Sequence, residues 1–304
     1  IRHSLTIVRG CCGNCSFCAI ARHQGPVVTC RSRTSILAEV KQVARMHDFK
    51  GTISDLGGPT ANLYGTACHQ AAACKRHDCL YPEICRHLTI DEKLFLDLLA
   101  EAAAIPGVKH LFVSSGLRME LLLKTPNLLR TILTRHTPGM MKIAPEHTDP
   151  EVLRLMHKPG PTLLADFVAA CREIEQAEGR SLPLSPYLIA SHPGCTVAAM
   201  QRLAATLNDL RLPVRQFQDF TPTPGTLATA MYVSGMDRDT GRPIQVARNA
   251  GERAAQREVL EGIRPKAHDA GARPRHRAAT TDKRRPQPPA GTGPAKRSRS
   301  RQKG

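Results

Sequence analysis

The sequence predicts an α/β protein, specifically a partial (β/α)6 TIM-type barrel with a cysteine-containing insertion and a disordered basic C-terminal tail. Short β-like runs alternate with amphipathic helical patterns six times along residues 1–240. Strict alternation of this kind favours parallel strands joined by right-handed crossovers. Polar, Gly- and Pro-containing segments repeatedly follow the strands, where such folds place their active-site loops. We therefore expect a single core domain over 1–240.

The first half of this core is predicted from two strands and two helices. Residues 5–8 and 52–56 are the strands, and residues 34–47 between them repeat apolar side chains with the helical period of 3.6. The insertion, 62–90, follows the second strand. Thr89-Ile90-Asp91-Glu92 then reads as a capping box that begins the second helix.

The second half continues the same alternation. Strands are predicted at 108–113, 140–144, 186–190 and 214–220. Helical patterns follow the third, fourth and fifth strands, and Pro126 interrupts the first of these. Six strand-helix units are fewer than the eight of a closed TIM barrel, which is why a partial barrel is predicted.

The positive charge is concentrated at the C-terminus. Residues 264–304 hold thirteen Lys or Arg and two Asp, a net +11, which leaves +6 of the total +17 for residues 1–263. This segment has almost no large apolar side chains, so we predict that it is disordered. Its function is either to keep the chain soluble or to make a weak, salt-sensitive contact with nucleic acid. Residues 241–263 are predicted only as a poorly defined extension.

Sequence patterns also bear on location. No window of eighteen consecutive apolar residues and no signal peptide is present, so the prediction is a cytoplasmic protein without membrane contact. The chain begins at Ile1 rather than Met and runs almost directly into an apolar strand. We therefore expect it to be the C-terminal portion of a longer protein.

The strongest chemical signal is Cys11-x3-Cys15-x2-Cys18, which lies in the loop after the first strand. Three thiolates do not complete a structural zinc site, which takes four ligands. Three thiolates on a [4Fe-4S] cluster leave one iron open for a substrate or cofactor. The alternative is a zinc site completed by Cys12, Cys30 or a histidine.

A second set of cysteines, Cys68, Cys74, Cys79 and Cys85, lies in the insertion. Four thiolates match the ligand count of a structural zinc ion or of an auxiliary iron-sulfur cluster. The basic neighbours Lys75, Arg76, Arg86 and His87 would offset their charge. The alternative is a loop of ordinary thiols.

The cysteine loop, with Phe17 before its third cysteine, resembles that of the radical S-adenosylmethionine (SAM) superfamily. Longer segments are similar to the YgiQ family of radical SAM proteins, over residues 1 to about 235. These segments are Gly51-Thr-Ile-Ser-Asp-Leu-Gly-Gly-Pro-Thr-Ala-Asn62, Lys142-Ile-Ala-Pro-Glu-His-Thr148, Ser191-His-Pro-Gly194, Gln218-Asp-Phe-Thr-Pro-Thr-Pro-Gly-Thr226, the second cysteine set and Met231-Tyr-Val-Ser-Gly235.

The resemblance implies a chemistry and a set of partners. The open iron would bind SAM, and one electron would cleave it to methionine and a 5′-deoxyadenosyl radical, which abstracts hydrogen from a substrate. The cofactors would be the [4Fe-4S] cluster and SAM, with the second metal site in addition. A low-potential donor of the flavodoxin or ferredoxin type is implied, and the substrate is unknown.

The resemblance also suggests roles for particular residues, each with a structural alternative. Gly57 and Gly58 would approach the SAM amino group, or simply end a strand. Phe17 would pack near the adenine, or belong to the core. Ser115 and Arg118 would bind the ribose and the SAM carboxylate, or form a surface pair. Glu146, together with His147, would contact ribose or substrate, or else cap a helix or be solvated.

The remaining candidates carry less specific signals. His192 and Asp219 end the fifth and sixth strands and would face the mouth of a barrel, or be satisfied polar residues. Cys171 lies on an apolar helical face and is expected in the core. Cys195 follows a strand-end loop and is expected to be a simple thiol, or else to line the mouth of the barrel. The competing functions are a non-catalytic zinc or iron-sulfur module with an RNA-binding tail, and an inactive fragment of an enzyme.

Overall fold

The structure is a computed structural model that describes residues 2–70, 74–76 and 78–263. The predicted disordered tail, 264–304, lies outside the described residues. The strands share short lengths and are, in chain order, β1 Ser4–Thr6, β2 Val8–Arg9, β3 Thr29–Cys30, β4 Thr52–Ile53, β5 Asp55–Gly57, β6 Thr66–Cys68, β7 Leu88–Ile90, β8 His110–Leu111, β9 Met141–Glu146, β10 Leu184–Ala190 and β11 Gln216–Asp219.

Helices separate most of these strands. They are α1 Ile20–His23, α2 Arg33–Ala44, α3 Glu92–Ala103, α4 Met119–Leu122, α5 Pro126–Arg135, α6 Pro150–Met156, α7 Thr162–Glu178, α8 Val197–Asp209, α9 Leu227–Ser234 and α10 Ala250–Glu261, with a single 3-10 turn at Ala61–Leu63. None of the helices in the described part of the chain is both long and apolar enough to cross a lipid bilayer.

Parallel pairing joins strands that are successive units of the predicted alternation. β1 pairs with β5, β4 with β8, and β10 lies between β9 and β11. The N–H of Leu56 also donates to the carbonyl of Phe112 at 2.8 Å, which links the second and third units. The pairings within the described residues form no closed ring. Two antiparallel pairs, β2 with β3 and β6 with β7, lie outside the alternation.

Most helices begin where a short polar side chain can cap them. The Asp149 carboxylate accepts from the N–H groups of Glu151 and Val152 at the start of α6, and the Thr196 hydroxyl accepts from Ala199 at the start of α8. The predicted capping box is displaced. Asp91 is the N-cap of α3, whereas Thr89 belongs to β7. Thr89 satisfies the sequence pattern, but its backbone is used in pairing with β6.

The core lies between the parallel strands and the helices that cross between them. Phe95 from α3, Phe167 from α7 and Ile53 from β4 are fully buried. The extension 241–263, which the sequence left without an assigned element, contains α10. This helix packs against α8 and against β10 and β11. Gln256 carries α10 into the interior, where its amide accepts from the N–H of Ser191 at 2.8 Å and donates to the carbonyl of Cys195 at 2.9 Å.

Candidate functional site

The cysteine loop, residues 10–19, lies between β2 and α1 and is closed at its base by pairing of β2 with β3. Gly10 begins it with a φ of +78°, and a Cβ there would collide with the carbonyl of Val27. Only glycine can adopt this positive φ and allow the Val27 carbonyl to approach so closely without strain. The N–H of Cys11 then donates to the carbonyl of Gly25 at 3.2 Å, so the start of the loop is held against its return segment.

Ser16 fixes the centre of the loop. It is 1% exposed, its N–H donates to Met156 at 2.9 Å and its carbonyl accepts from Ala228 at 2.8 Å. Its hydroxyl lies 3.2 Å from Nε2 of His192 at the end of β10. Since Nδ1 of His192 lies 2.8 Å from a carbonyl, it is the protonated nitrogen, and Nε2 accepts from Ser16. The loop is therefore anchored to three distant segments.

Cys11, Cys15 and Cys18 line one cavity of about 210 Å³, as the cluster prediction requires. Most of the residues that line it follow strands or end one. They comprise the cysteine loop after β2, Pro59 and Thr60 after β5, Gly116 to Glu120 after β8, and Ala144 and Glu146 at the end of β9. Ile20 and Ala21 of α1 and Lys158 after α6 complete the lining. The thiols are partly or fully buried, and burial raises the pKa of Cys11 and Cys18. Binding of a metal cluster would therefore have to displace their protons.

Arg118 is the cation closest to these thiols. Its Nη1 donates to Sγ of Cys15 at 3.2 Å, and its Nε pairs with the Glu120 carboxylate at 2.7 Å, with both side chains 10% exposed. The Asn62 side chain accepts from the N–H of Arg118 and donates to its carbonyl, each at 2.9 Å. The amide thereby clamps the Arg118 backbone on both sides. The alternative of a surface pair between Ser115 and Arg118 does not hold, because the Arg118 side chain is only 10% exposed.

Glu146 faces the same cavity from the end of β9. It is 7% exposed and has a φ of +65°, a conformation that a non-glycine residue adopts only at a cost. Burial raises the pKa of its carboxyl group, and the positive charges of Lys158 and Arg118 oppose this shift. Within the described residues, its Oε2 has no hydrogen-bond partner. Strain and an unpaired oxygen point to a residue held in place for a ligand.

Two of the predicted SAM contacts, Gly57 in β5 and Ser115 after β8, lie against each other. The Ser115 hydroxyl donates to the Asp55 carboxylate and accepts from the N–H of Gly58 at 3.2 Å. A Cβ at Gly57 would collide with Ser115, and one at Gly58 would collide with the carbonyl of Val8. These glycines are thus required by strand packing. Their roles in SAM binding, and that of Ser115, stay predictions.

Phe17 lines the cavity with the cysteines, and its ring meets that of His192 edge to face, with centroids 6.2 Å apart. His192 in turn contacts Phe220 at 5.3 Å. These edge-to-face ring contacts join the cysteine loop to the ends of the fifth and sixth predicted strands. Phe17 is half-buried, so one part of its ring packs on the protein while the remainder stays at the cavity.

The other predicted polar residues do not line this cavity. His147 is 1% exposed, its Nδ1 accepts from the N–H of Asp149 at 2.9 Å, and its Nε2 lies 3.5 Å from Sγ of Cys195. Asp219 forms an ion pair with Arg257 of α10. Cys171 is buried on α7, in agreement with a core role. These residues connect helices to strand ends.

The cysteine loop also forms the wall of a second cavity, of about 790 Å³. Cys11, Gly13 and Cys15 line the smaller cavity, whereas Cys12 and Asn14 line the larger one. Successive residues thus face opposite sides. This explains why Cys12 does not join the first cysteine set. Cys68, Cys74 and Cys79 line the larger cavity with Cys12.

The donor set of the smaller cavity fits an iron-sulfur cluster with a polar cofactor. Three thiols face one space, and Nη2 of Arg118 and Oε2 of Glu146 are both buried there without a partner in the described part of the chain. No group of three or more His, Cys, Asp or Glu side chains among those residues is arranged around a single metal ion. A cluster binds each thiolate at a different iron and so requires no such convergence.

Sequence reasoning missed Asn62, Glu120 and Ser16. Asn62 and Ser16 fall within the quoted motifs, but their partners lie 56 and 176 residues away along the chain. The spacing of a motif carries no information about such contacts. Glu120 follows Arg118 by two residues, so a charged pair after a strand end was the signal that could have identified it.

No family model matches the chain. It is 44% identical over 263 residues to a UPF0313 protein of Geobacter sulfurreducens, which covers 86% of this chain and 44% of that protein. A UPF0313 protein of Methanocella arvoryzae is 40% identical over 272 residues, covering 88% of this chain and 45% of the relative. The chain therefore spans less than half the length of the curated relatives it matches. The YgiQ resemblance and the position of the chain at a C-terminus stay predictions.

Two solved structures show the fold. The radical SAM methyltransferase TsrM from Kitasatospora setae, with cobalamin and a [4Fe-4S] cluster bound, superposes with a TM-score of 0.50 at 15% identity, covering 83% of this chain and 45% of TsrM. HemN, the coproporphyrinogen III oxidase of Escherichia coli and a radical SAM enzyme, gives 0.50 at 14% identity, covering 86% and 51%. The chain thus has an α/β fold similar to that of radical SAM enzymes.

Proposed function

We propose that this chain is the catalytic core of a radical SAM enzyme. The observation that carries the proposal is the smaller cavity, where three thiols of one loop face two buried polar atoms that lack partners. The similarity in fold to radical SAM enzymes supports it. We further propose that the six strand-helix units form a partial barrel, since most of the lining residues follow or end strands.

In this proposal Cys11, Cys15 and Cys18 hold the cluster. When bound, a [4Fe-4S] cluster with SAM supplies reductive cleavage of SAM and a 5′-deoxyadenosyl radical. The protein supplies binding, orientation and exclusion of water. Arg118 donates to the thiolate of Cys15, which lowers the cost of its negative charge. Phe17 covers one side of the cavity, and Ser16 holds the loop that carries the ligands.

Arg118 and Glu146 are the residues best placed to bind the polar parts of SAM. A guanidinium with one free N–H group is suited to a carboxylate. A buried carboxyl group with one free oxygen is suited to a hydroxyl or an ammonium group. Gly57, Gly58 and Ser115 are proposed as secondary contacts. Ser115 and Val8 occupy the space beside the two glycines, and the Ser115 hydroxyl already donates to Asp55.

An external electron source completes the proposed reaction. We propose a low-potential donor of the flavodoxin or ferredoxin type, and a reducing compartment such as the cytoplasm, where eleven unpaired cysteines persist. The substrate is a molecule with a hydrogen that a carbon-centred radical can remove. Any contact of the basic tail with nucleic acid would be an addition to this activity.

The test compares two cysteines of the same loop, Cys15 and Cys12, that face opposite cavities. The chain is reconstituted anaerobically with iron and sulfide, and 5′-deoxyadenosine is measured after addition of SAM and dithionite. Cys15→Ala is expected to abolish SAM cleavage, and Cys12→Ala is expected to retain it. Absence of 5′-deoxyadenosine from the iron-loaded wild-type chain would refute the activity. Equal loss in the two variants would refute the ligand assignment.

A further inference from the structure

The insertion brings four cysteines together by backbone pairing. β6 ends at Cys68, which is in register with Leu88 of β7. The N–H of Leu88 donates to the carbonyl of Cys85 at 2.9 Å, and the N–H of Cys85 donates to the carbonyl of Cys79 at 2.8 Å. Strand pairing and two backbone hydrogen bonds therefore connect Cys68, Leu88, Cys85 and Cys79 in that order.

The fourth cysteine, Cys74, completes this group. Cys68, Cys74 and Cys79 line the larger cavity, and Cys85 is buried. The hydrogen bond from the N–H of Cys85 to the carbonyl of Cys79 joins this buried cysteine to the three that line the cavity.

The Arg76 backbone and side chain organise the segment between these cysteines. Its N–H donates to Sγ of Cys74 at 3.4 Å. Its guanidinium donates to the carbonyls of Asp78, Tyr81 and Glu83. The segment is thereby curled around a positive charge. Backbone donors to sulfur and a nearby cation are both suited to a negatively charged thiolate cluster.

The cavity size and the lack of a converging ligand group among the described residues favour a cluster over a single zinc ion. A zinc ion bonds each sulfur at about 2.3 Å, so its ligands converge tightly. Such convergence of three or more side chains is absent from the described residues. An iron-sulfur cluster holds its thiolates farther apart because they bind different iron atoms. The cavity of about 790 Å³ also leaves room for a body larger than one ion.

The insertion is docked directly on the cysteine loop. The N–H of Cys79 donates to the carbonyl of Cys12 at 2.8 Å, and the N–H of Asn14 donates to the Asp78 carboxylate at 3.0 Å. Leu80 is fully buried, 3.2 Å from the position that a Cβ at Gly13 would take. The group of four cysteines therefore lies across one stretch of backbone from the first set.

We propose that Cys68, Cys74, Cys79 and Cys85 bind an auxiliary iron-sulfur cluster on the side of the cysteine loop opposite the first cluster. Four thiolates complete its coordination, so none of its iron atoms is open to SAM or substrate. A cluster whose iron atoms are all bound by protein thiolates can order the insertion or transfer single electrons. The assignment does not depend on whether the first cluster cleaves SAM.

The test uses iron, zinc and sulfide analysis with Mössbauer and electron paramagnetic resonance spectra of the anaerobically reconstituted full chain. Four chains are compared: the wild type, Cys74→Ser, the triple variant Cys11→Ala/Cys15→Ala/Cys18→Ala, and Cys30→Ser as a control thiol outside both sets. Cys74 is exposed, so its replacement leaves the core intact. Circular dichroism verifies that each chain is folded.

We expect the wild type and Cys30→Ser to hold about twice as much iron as the triple variant, whose remaining cluster should be insensitive to SAM. Cys74→Ser should lose or destabilise that cluster while the first set retains an iron signal that SAM perturbs. Equal iron in the wild type and Cys74→Ser, with one cluster in each, would overturn the proposal. So would one zinc ion per chain in the triple variant, or an iron-free triple variant that is folded.

Discussion

The hydroxyl of Ser16 lies 3.2 Å from Nε2 of His192, and both side chains are almost completely buried. One residue belongs to the cysteine loop and the other to the end of β10. Their contact fixes the loop relative to the strands that carry it. Because neither group has access to water, the loop cannot shift without breaking this hydrogen bond.

Replacement of Ser16 by Ala is expected to lower the free energy of unfolding by about 1–3 kcal/mol, because Nε2 of His192 loses its donor while it stays buried. Urea unfolding of the metal-free chain measures this change. Ser35→Ala, at an exposed position of α2, is the matched control and should change stability by less than about 0.5 kcal/mol. A Ser16→Ala chain as stable as this control would contradict the anchoring role.

Arg118 and Glu120 are expected to behave as one unit. Arg118→Met leaves the Glu120 carboxylate buried without its cation and should cost about 3–5 kcal/mol of stability. The double variant Arg118→Met/Glu120→Leu should be more stable than Arg118→Met alone. A double-mutant cycle in urea measures the coupling. If the losses of unfolding free energy in the two single variants add up to the loss in the double variant, the two side chains act independently.

Stability should fall in mildly acidic solution because His147 is buried as the neutral imidazole. Burial lowers its pKa from 6.5 to about 4, so between these values the unfolded chain binds a proton that the folded chain does not. Its contribution is fully present above pH 6.5 and is lost progressively toward pH 4. The loss between pH 7 and pH 5 should be about 2 kcal/mol.

His147→Asn tests this assignment, because an amide oxygen can accept from the N–H of Asp149 as Nδ1 does. The variant should show a shallower dependence of unfolding free energy on pH over this range. His23→Asn, at an exposed position of α1, should keep the slope of the wild type. An unchanged slope in His147→Asn would assign the acid sensitivity to other groups.

The alternation of elements was predictable because each strand and helix has its own hydrophobic period. The structure contains strands at all six predicted positions and the helices between them, with boundaries shifted by a few residues. The helices α9 and α10 were not predicted. α10 has few buried side chains, Gln256 and Leu260, so its sequence carries a weak apolar pattern.

The candidate site was predictable only where its residues are adjacent in sequence. Cys11, Cys15 and Cys18 lie on one loop, so their spacing alone predicted a shared space. Arg118 was predicted from its position after a strand, but its contact with Cys15 crosses 103 residues. Ser115 was placed at the ribose for the same positional reason. The neighbouring strand supplies Asp55, which engages its hydroxyl, and no local pattern reveals that partner.

The alternating orientation of the cysteine loop has a consequence for how the chain can vary. Residues 11–15 face the two cavities in turn, so one added or deleted position would reverse the facing of the loop residues beyond it. The N–H of Asn14 would then turn away from Asp78 as the thiol of Cys15 turned away from Arg118. A substitution within the loop can affect one cavity alone, whereas a change in loop length alters the residues that line both cavities.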